Sequence, residues 1–213
     1  MCYDVAAHTL SQIKYAKYRH GDASDTTNLQ EVLSTLMPTL PKAYHVNGFA
    51  HPRLLSFAKG SSASAPWSVE GLEWGLIPFW VKDGPQAAVI ANKTLNARVE
   101  TLLEKPSFRA AARYRRCLIY VDGFFEHQHR KGKRFPFFIR QKESEVMCLA
   151  GVYEDWTDQL TGEIKRTCSI VTTKGHGEMV SMHNNTKLPE TRMTLILSRE
   201  SQEEWLTLEN QGS

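Results

Sequence analysis

Apolar positions cluster in short β-rich runs along the second half of the chain. They read "CLIYVDGFFEHQ" (117–128), "RFPFFIRQ" (134–141), "VMCLAGVYEDW" (146–156) and "KRTCSIVTT" (165–173). Each is short enough for a strand and bounded by turn-forming or charged residues. "RKGKR" (130–134) separates the first two and predicts a hairpin turn. Upstream, "AYHVNGF" (43–49) and "RLLSF" (53–57) predict short strands, and "WSVEGLEWGLIPFW" (67–80) alternates until Pro78 ends it. "KGSSASAP" (59–66) reads as a loop of small residues. Leu29, Val32, Leu33 and Leu36 fall at helical spacing over 27–37, ahead of Pro38 and Pro41. "SFRAAARYRRC" (107–117), "GEMVSMH" (177–183) and "SRESQEEWLTL" (198–208) predict further helices, and "RMTLIL" (192–197) another strand. Strands and helices mix without regular βαβ alternation. The pattern predicts one α+β domain over 1–213, with a curved or barrel-like antiparallel sheet flanked by short helices.

Composition refines this picture. Hydrophobic residues form 41% of the 213 positions, enough for a sizeable core. No run of 18 apolar residues predicts a membrane span. No basic segment leads into an apolar run at the start, so no signal peptide is expected. A cytoplasmic location is expected, or a nucleoid-associated one if the chain binds DNA. Cys117, Cys148 and Cys168 lie inside apolar runs and predict buried small hydrophobes. The histidines and cysteines show no metal-ligand spacing, so neither metal nor cofactor is expected. The net charge of +3 is mild, but its distribution is uneven. Lys105, Arg109, Arg113, Arg115 and Arg116 form one basic cluster, and Arg130, Lys131, Lys133 and Arg134 another. Both suit an anionic partner or a solvated face.

Candidate chemistry begins at the second residue, Cys2. Removal of Met1 would leave Cys2 with a free α-amine and a thiol on adjacent carbons. Four further segments stand out. Trp74 and Trp80 bracket "WGLIPFW", as core residues or as platforms for unpaired bases. "NARVET" holds Asn96, a helix-cap candidate or a site amide, and Arg98, able to grip a phosphate. Glu126 follows an apolar strand, either as an exposed polar position or as a carboxylate whose apolar walls raise its pKa. His183 ends a helix, as a general acid or as a cation favoured by the helix dipole.

In this order, "MC", "WGLIPFW", "NARVET", "DGFFE" and a later "MH" before an "RM" strand resemble the SOS-response-associated peptidase family, from Cys2 to about Trp205. Its members cap abasic sites in single-stranded DNA. The resemblance implies Cys2 as nucleophile, Asn96, Glu126 and His183 as its pocket, and Arg98, Trp74 and Trp80 as DNA contacts. Asp4 stands where the family carries arginine, His45 replaces an asparagine, and Thr194 a proline. The longer loop after His183 leaves Arg192 as the candidate arginine beside it. A monomer is expected, acting on single-stranded DNA that contains abasic sites. The activity implied is a covalent, lyase- or hydrolase-like one, with self-processing at the N-terminus. Two other readings fit the same residues: a cysteine peptidase using Cys2 and His183, and a non-covalent single-strand binder.

Overall fold

The computed structural model describes residues 3–8, 31, 34–40, 42–62, 65–142, 146–184 and 190–207. Cys2 lies outside the described residues, as does most of the helix expected over 27–37. Glu31 and Ser34–Leu36 are helical, and Met37–Thr39 forms a 3-10 turn.

In chain order the strands are β1 (Asp4–His8), β2 (Lys42–Asn47), β3 (Arg53–Ser62), β4 (Ala65–Trp74), β5 (Asn96–Arg98) and β6 (Arg116–Val121). They continue with β7 (Gly123–Arg130), β8 (Lys133–Ile139), β9 (Met147–Thr157), β10 (Ile164–Lys174) and β11 (Arg192–Thr194). The α-helices are α1 (Gly84–Ala91), α2 (Arg109–Tyr114), α3 (Met179–Met182) and α4 (Arg199–Thr207).

The fold is α+β. Strands β4, β3, β6, β9 and β10 pair edge to edge into a closed barrel, and β10 closes it by pairing with both β9 and β4. A second sheet of order β2-β1-β7-β8 stands beside it. One continuous run joins the two. β6 ends at Val121 in the barrel, and β7 starts at Gly123 in the second sheet. Asp122 N–H donates to the Ala6 carbonyl at this seam. A side chain at Gly123 would collide with the Ile139 carbonyl across the β7–β8 pair.

Barrel strands are buried on both faces, which is why they read as near-continuous apolar runs. On β6, Leu118 and Tyr120 join a cluster with Ala111 and Ala112 of α2 and Trp205 and Leu206 of α4. Cys117, Ile119 and Val121 face the other cluster, with Val5, Ala7 and Phe124 of the second sheet. Cys117, Cys148 and Cys168 are buried, and burial pushes the Cys117 and Cys168 thiols up. The α4 start is capped by the Ser198 hydroxyl, which accepts from Ser201 N–H.

Three expectations change. The segment expected as a loop over 59–66 is strand where it is described: β3 runs to Ser62, and β4 starts at Ala65. The sheet is not wholly antiparallel: β10 pairs in parallel with β4 and with β5. Helix α1 carries little apolar periodicity, yet Asp83 caps it by accepting from Gln86 N–H, and a proline opens it. Among the described residues, no helix is long and apolar enough to cross a membrane.

Candidate functional site

Two neighbouring groups of side chains make up the candidate site. The first is built on β7. Glu126 and His183 are both buried, and His183 Nδ1 lies 2.9 Å from Glu126 Oε1. The approach is close but off-line for a hydrogen bond. His183 sits directly after α3, where its N–H donates to the Met179 carbonyl. Three bonds fasten this segment to β7. Gln128 Nε2 donates to the Ser181 carbonyl at 2.8 Å, Asn184 Oδ1 accepts from His129 N–H, and Asn184 Nδ2 donates to the His129 carbonyl.

The start of the chain runs toward this pair. Strand β1 is antiparallel to β7, with Val5 opposite Phe124 and Ala6 opposite Gly123. Its leading end therefore points to the Glu126 end of β7. β2 holds the other edge of β1, with Asp4 opposite Asn47. Asp4 Oδ1 accepts from Asn47 Nδ2 at 2.8 Å and lies 3.0 Å from His45 Nε2. Two departures from the family pattern, Asp4 and His45, thus pair with each other.

The second group surrounds a cavity of about 300 Å³, with Trp80, Lys93, Asn96, Arg98 and Lys105 in its lining. Asn96 and Arg98 come from β5, whose register places Asn96 opposite Ile170 and Arg98 opposite Thr172. Asn96 is a strand residue, so the helix-cap alternative falls away; a 3-10 turn follows at Val99–Thr101. Trp80 is 43% exposed, with its ring available at the cavity.

Trp74 has a different fate. It is fully buried, and its indole N–H donates to the Leu95 carbonyl at 2.8 Å. It is a core residue with no ring face to offer a base, which corrects the reading of Trp74 as a DNA contact. The chain turns directly after it at Gly75, whose φ of 125° disfavours any other residue. A Cβ at Gly75 would also come within 2.6 Å of His51 Nδ1. That turn separates two tryptophans that look equivalent in sequence.

Arg192 is the second correction. It is 1% exposed and enclosed by acceptors. Its guanidinium makes two 2.9 Å bonds to Glu100, one of 3.0 Å to Glu190 and one of 2.8 Å to the Thr172 carbonyl. Burial opposes its charge, but the bonds to Glu100 and Glu190 outweigh that and hold its pKa above the usual value. The Arg192 hydrogen bond in turn holds the Glu100 carboxyl below the usual glutamate range. Arg192 is a structural cation here and presents no free face to a phosphate.

The short segment 190–192 links the two groups. Thr191 Oγ1 donates to the His183 carbonyl, Glu190 reaches Arg98 at 3.4 Å, and Arg192 locks Glu100 to β10. Sequence reasoning missed Gln128, Asn184, Glu190 and Glu100 as partners. Glu100 stands inside the quoted "NARVET", but its partner lies 92 residues away, and no local spacing reveals that.

Among the described residues, no group of histidine, cysteine and acidic side chains is arranged to hold a metal ion. The chemistry available is proton transfer between a buried carboxylate and an imidazole, beside a basic cavity with an exposed indole.

Related proteins bear on this arrangement. A protein from Bacteroides thetaiotaomicron with a crystal structure superposes with a TM-score of 0.81 at 33% identity, covering 98% of this chain and 83% of that one. A Bordetella bronchiseptica protein, 19% identical, shares the fold with a TM-score of 0.76, covering 98% and 89%. Among curated relatives, the abasic site processing protein YoqW of Bacillus subtilis is 41% identical over 140 residues. That match covers 65% of this chain and 57% of YoqW. The abasic site processing protein HMCES of Gallus gallus is 28% identical over 155 residues, covering 63% and 44%. The match spans 57–58% of the length of the Bacillus relatives YoqW and YobE and less than half of the HMCES protein. The family model of the SOS response associated peptidase (SRAP) matches residues 10–213, and the chain belongs to that family.

Proposed function

We propose that this chain processes abasic sites in single-stranded DNA, bonding to them through Cys2 once Met1 has been removed. The observation that carries the reading is the buried Glu126–His183 contact on β7, at the end toward which β1 leads. A terminal nucleophile needs proton transfer close to the chain start, and this pair supplies it.

The abasic deoxyribose in its open form carries an aldehyde at C1′. The α-amine of Cys2, with an ordinary pKa of about 7.7–8.0, is partly neutral at pH 7 and attacks that carbon. The hydroxyl of the resulting carbinolamine leaves as water after accepting a proton, and an imine forms. The thiol then adds to the same carbon and passes its proton to the imine nitrogen. N, Cα, Cβ, S and C1′ close a five-membered thiazolidine, with one water released overall. The second step is intramolecular and gains the corresponding effective concentration. Glu126 and His183 exchange the protons that the dehydration and the ring closure require. Asn96 and Arg98 hold the strand at the cavity, Arg98 on a backbone phosphate and Trp80 under a base.

Intact-protein mass spectrometry after incubation with an abasic single strand tests this. The expected product is the chain without Met1, plus the oligonucleotide, minus one water. A heat-stable adduct formed equally well by Cys2→Ser would overturn the mechanism. A variant chain that retains Met1 separates the alternatives. It loses the adduct, keeps non-covalent binding, and keeps the thiol that a general peptidase would use.

A further inference from the structure

We infer that the β7–β8 hairpin is a track for single-stranded nucleic acid, leading from the Glu126–His183 pair to the basic hairpin tip. The inference deepens the proposed function and rests on it for the direction of the strand.

The register carries the argument. Glu126 stands opposite Phe137, Gln128 opposite Phe135, and Arg130 opposite Lys133. Residues directly opposed in an antiparallel pair share a face, and so do residues two apart. One face therefore presents three rungs in order: carboxylate with phenylalanine, amide with phenylalanine, and two cations. The rungs are about 7 Å apart, two residues of rise each. Gln128 is occupied by the Ser181 carbonyl, so α3 covers the inner side of this ladder. Among the described residues no strand pairs with the outer edge of β8. Phe135 and Phe137 are 44% and 37% exposed there, and Phe138 on the reverse face is 46% exposed.

Exposed phenylalanines on an edge strand are unfavourable unless something covers them. Charge identifies the class of partner. Between Glu126 and Glu143 the sequence has no acidic residue, but it has Arg130, Lys131, Lys133, Arg134, Arg140 and Lys142. The two-residue turn at Lys131–Gly132, with φ of 46° and 74°, brings the flanking cations together at the tip. Two aromatic rings in succession, leading to paired cations at the tip, suit a strand that stacks its bases and neutralises its phosphates. An acidic or apolar protein surface would match only half of these features.

Two variants of the full chain test the track: Lys131→Ser with Lys133→Ser, and Phe135→Ser. Both alter exposed positions, and unchanged urea midpoints would show the fold intact. Affinity is measured by fluorescence anisotropy against salt. The ligands are oligo-dT and abasic oligo-dT whose flank is extended on the 5′ or the 3′ side only. Wild type should bind tighter as the flank grows on one side. The lysine variant should lose that dependence, with a log–log salt slope shallower by about 1.4. Phe135→Ser should weaken binding at least about fivefold, the lower end of one base-stacking contact. Crosslink yield at saturating strand should stay unchanged. Flank dependence and salt slope equal to wild type in both variants would overturn the track and assign the strip to a protein surface. If wild type forms no adduct but the variants still lose oligo-dT affinity, the covalent reading fails and the track stands.

Discussion

Replacing Arg192 by methionine separates a structural cation from a DNA contact. The guanidinium has three classes of acceptor: two exposed or half-exposed carboxylates, a buried carbonyl and a buried hydroxyl. Breaking a buried ion pair costs about 3–5 kcal/mol when the remaining charge is trapped. Here the remaining charges are not trapped. The Glu100 and Glu190 side chains are 47% and 29% exposed and can rehydrate. The Thr172 carbonyl loses this donor, and an unsatisfied buried acceptor costs about 1–3 kcal/mol. Methionine returns some apolar contact. The loss should therefore fall near the lower end, about 3 kcal/mol, or about 6–12 °C in Tm for a chain of this size. Urea unfolding followed by tryptophan fluorescence measures it. Arg98→Ala is the control, because its half-exposed pair with Glu190 should contribute under about 1 kcal/mol. A loss below about 1 kcal/mol for Arg192→Met, together with a marked fall in single-strand affinity, would refute this reasoning. Arg192 would then be a phosphate contact after all.

Other perturbations follow from the same geometry. Glu126→Gln keeps the shape beside His183 but removes proton exchange, so single-turnover adduct formation should slow about 10²–10⁴-fold; a rate within threefold of wild type would contradict the role. Glu190→Gln frees Arg98 from a competing carboxylate and should tighten oligo-dT binding several-fold in low salt, measured by anisotropy; unchanged affinity would show that the Arg98 contact has no bearing on DNA. The Glu100 carboxyl is held below its unfolded range, so its stabilisation is present above about pH 4.3 and lost as pH falls through the folded value. The stability gap between wild type and Glu100→Gln should accordingly narrow in urea titrations below pH 4, and a gap that widened there would reverse the sign. Trp80→Ala should leave Tm within about 2 °C and weaken oligo-dT binding by about 1–3 kcal/mol, whereas Trp74→Ala should cost about 3–5 kcal/mol of stability.

The strands of the barrel were legible because burial on both faces leaves long apolar runs, and the "RKGKR" turn because glycine and the charged flanks mark it. The carboxylate–imidazole pair was legible only as two separate candidates. Their meeting depends on α3 folding back onto β7 through Gln128 and Asn184, contacts over 53 and 55 residues. Trp74 and Trp80 look alike in the sequence, yet one ends a strand in the core and the other lies exposed beyond the turn at Gly75. Arg192 was misplaced for a related reason. Its strand is only three residues long, and nothing local discloses that β10 and Glu100 enclose it. Helix α1 was missed because capping and a favourable first turn define it, while apolar periodicity does not.

The nucleophile proposed at the chain terminus faces a physical difficulty, because the first residues of most domains are poorly tied down. This fold meets it by placing β1 in the interior of a sheet. β2 binds one edge of β1 and β7 the other, with Val5 paired to Val46 and to Phe124. The side chains of Val5 and Ala7 are buried in the core that the barrel shares with the second sheet. Tyr3 is fixed as well, since its carbonyl accepts from Gly48 N–H at 2.7 Å and its ring lies 5.1 Å from that of Phe49. Ordering therefore extends to the residue next to Cys2, and most of its entropic cost falls on folding. Glu126 belongs to the same strand, β7, that aligns β1. The geometry between the proposed acid–base pair and the chain start is thus set by one antiparallel register. A slip of β1 by one residue along that register would turn Val5 out of the core and shift the chain start relative to Glu126. The packing that stabilises the second sheet is in this way the packing that sets the geometry of the proposed chemistry.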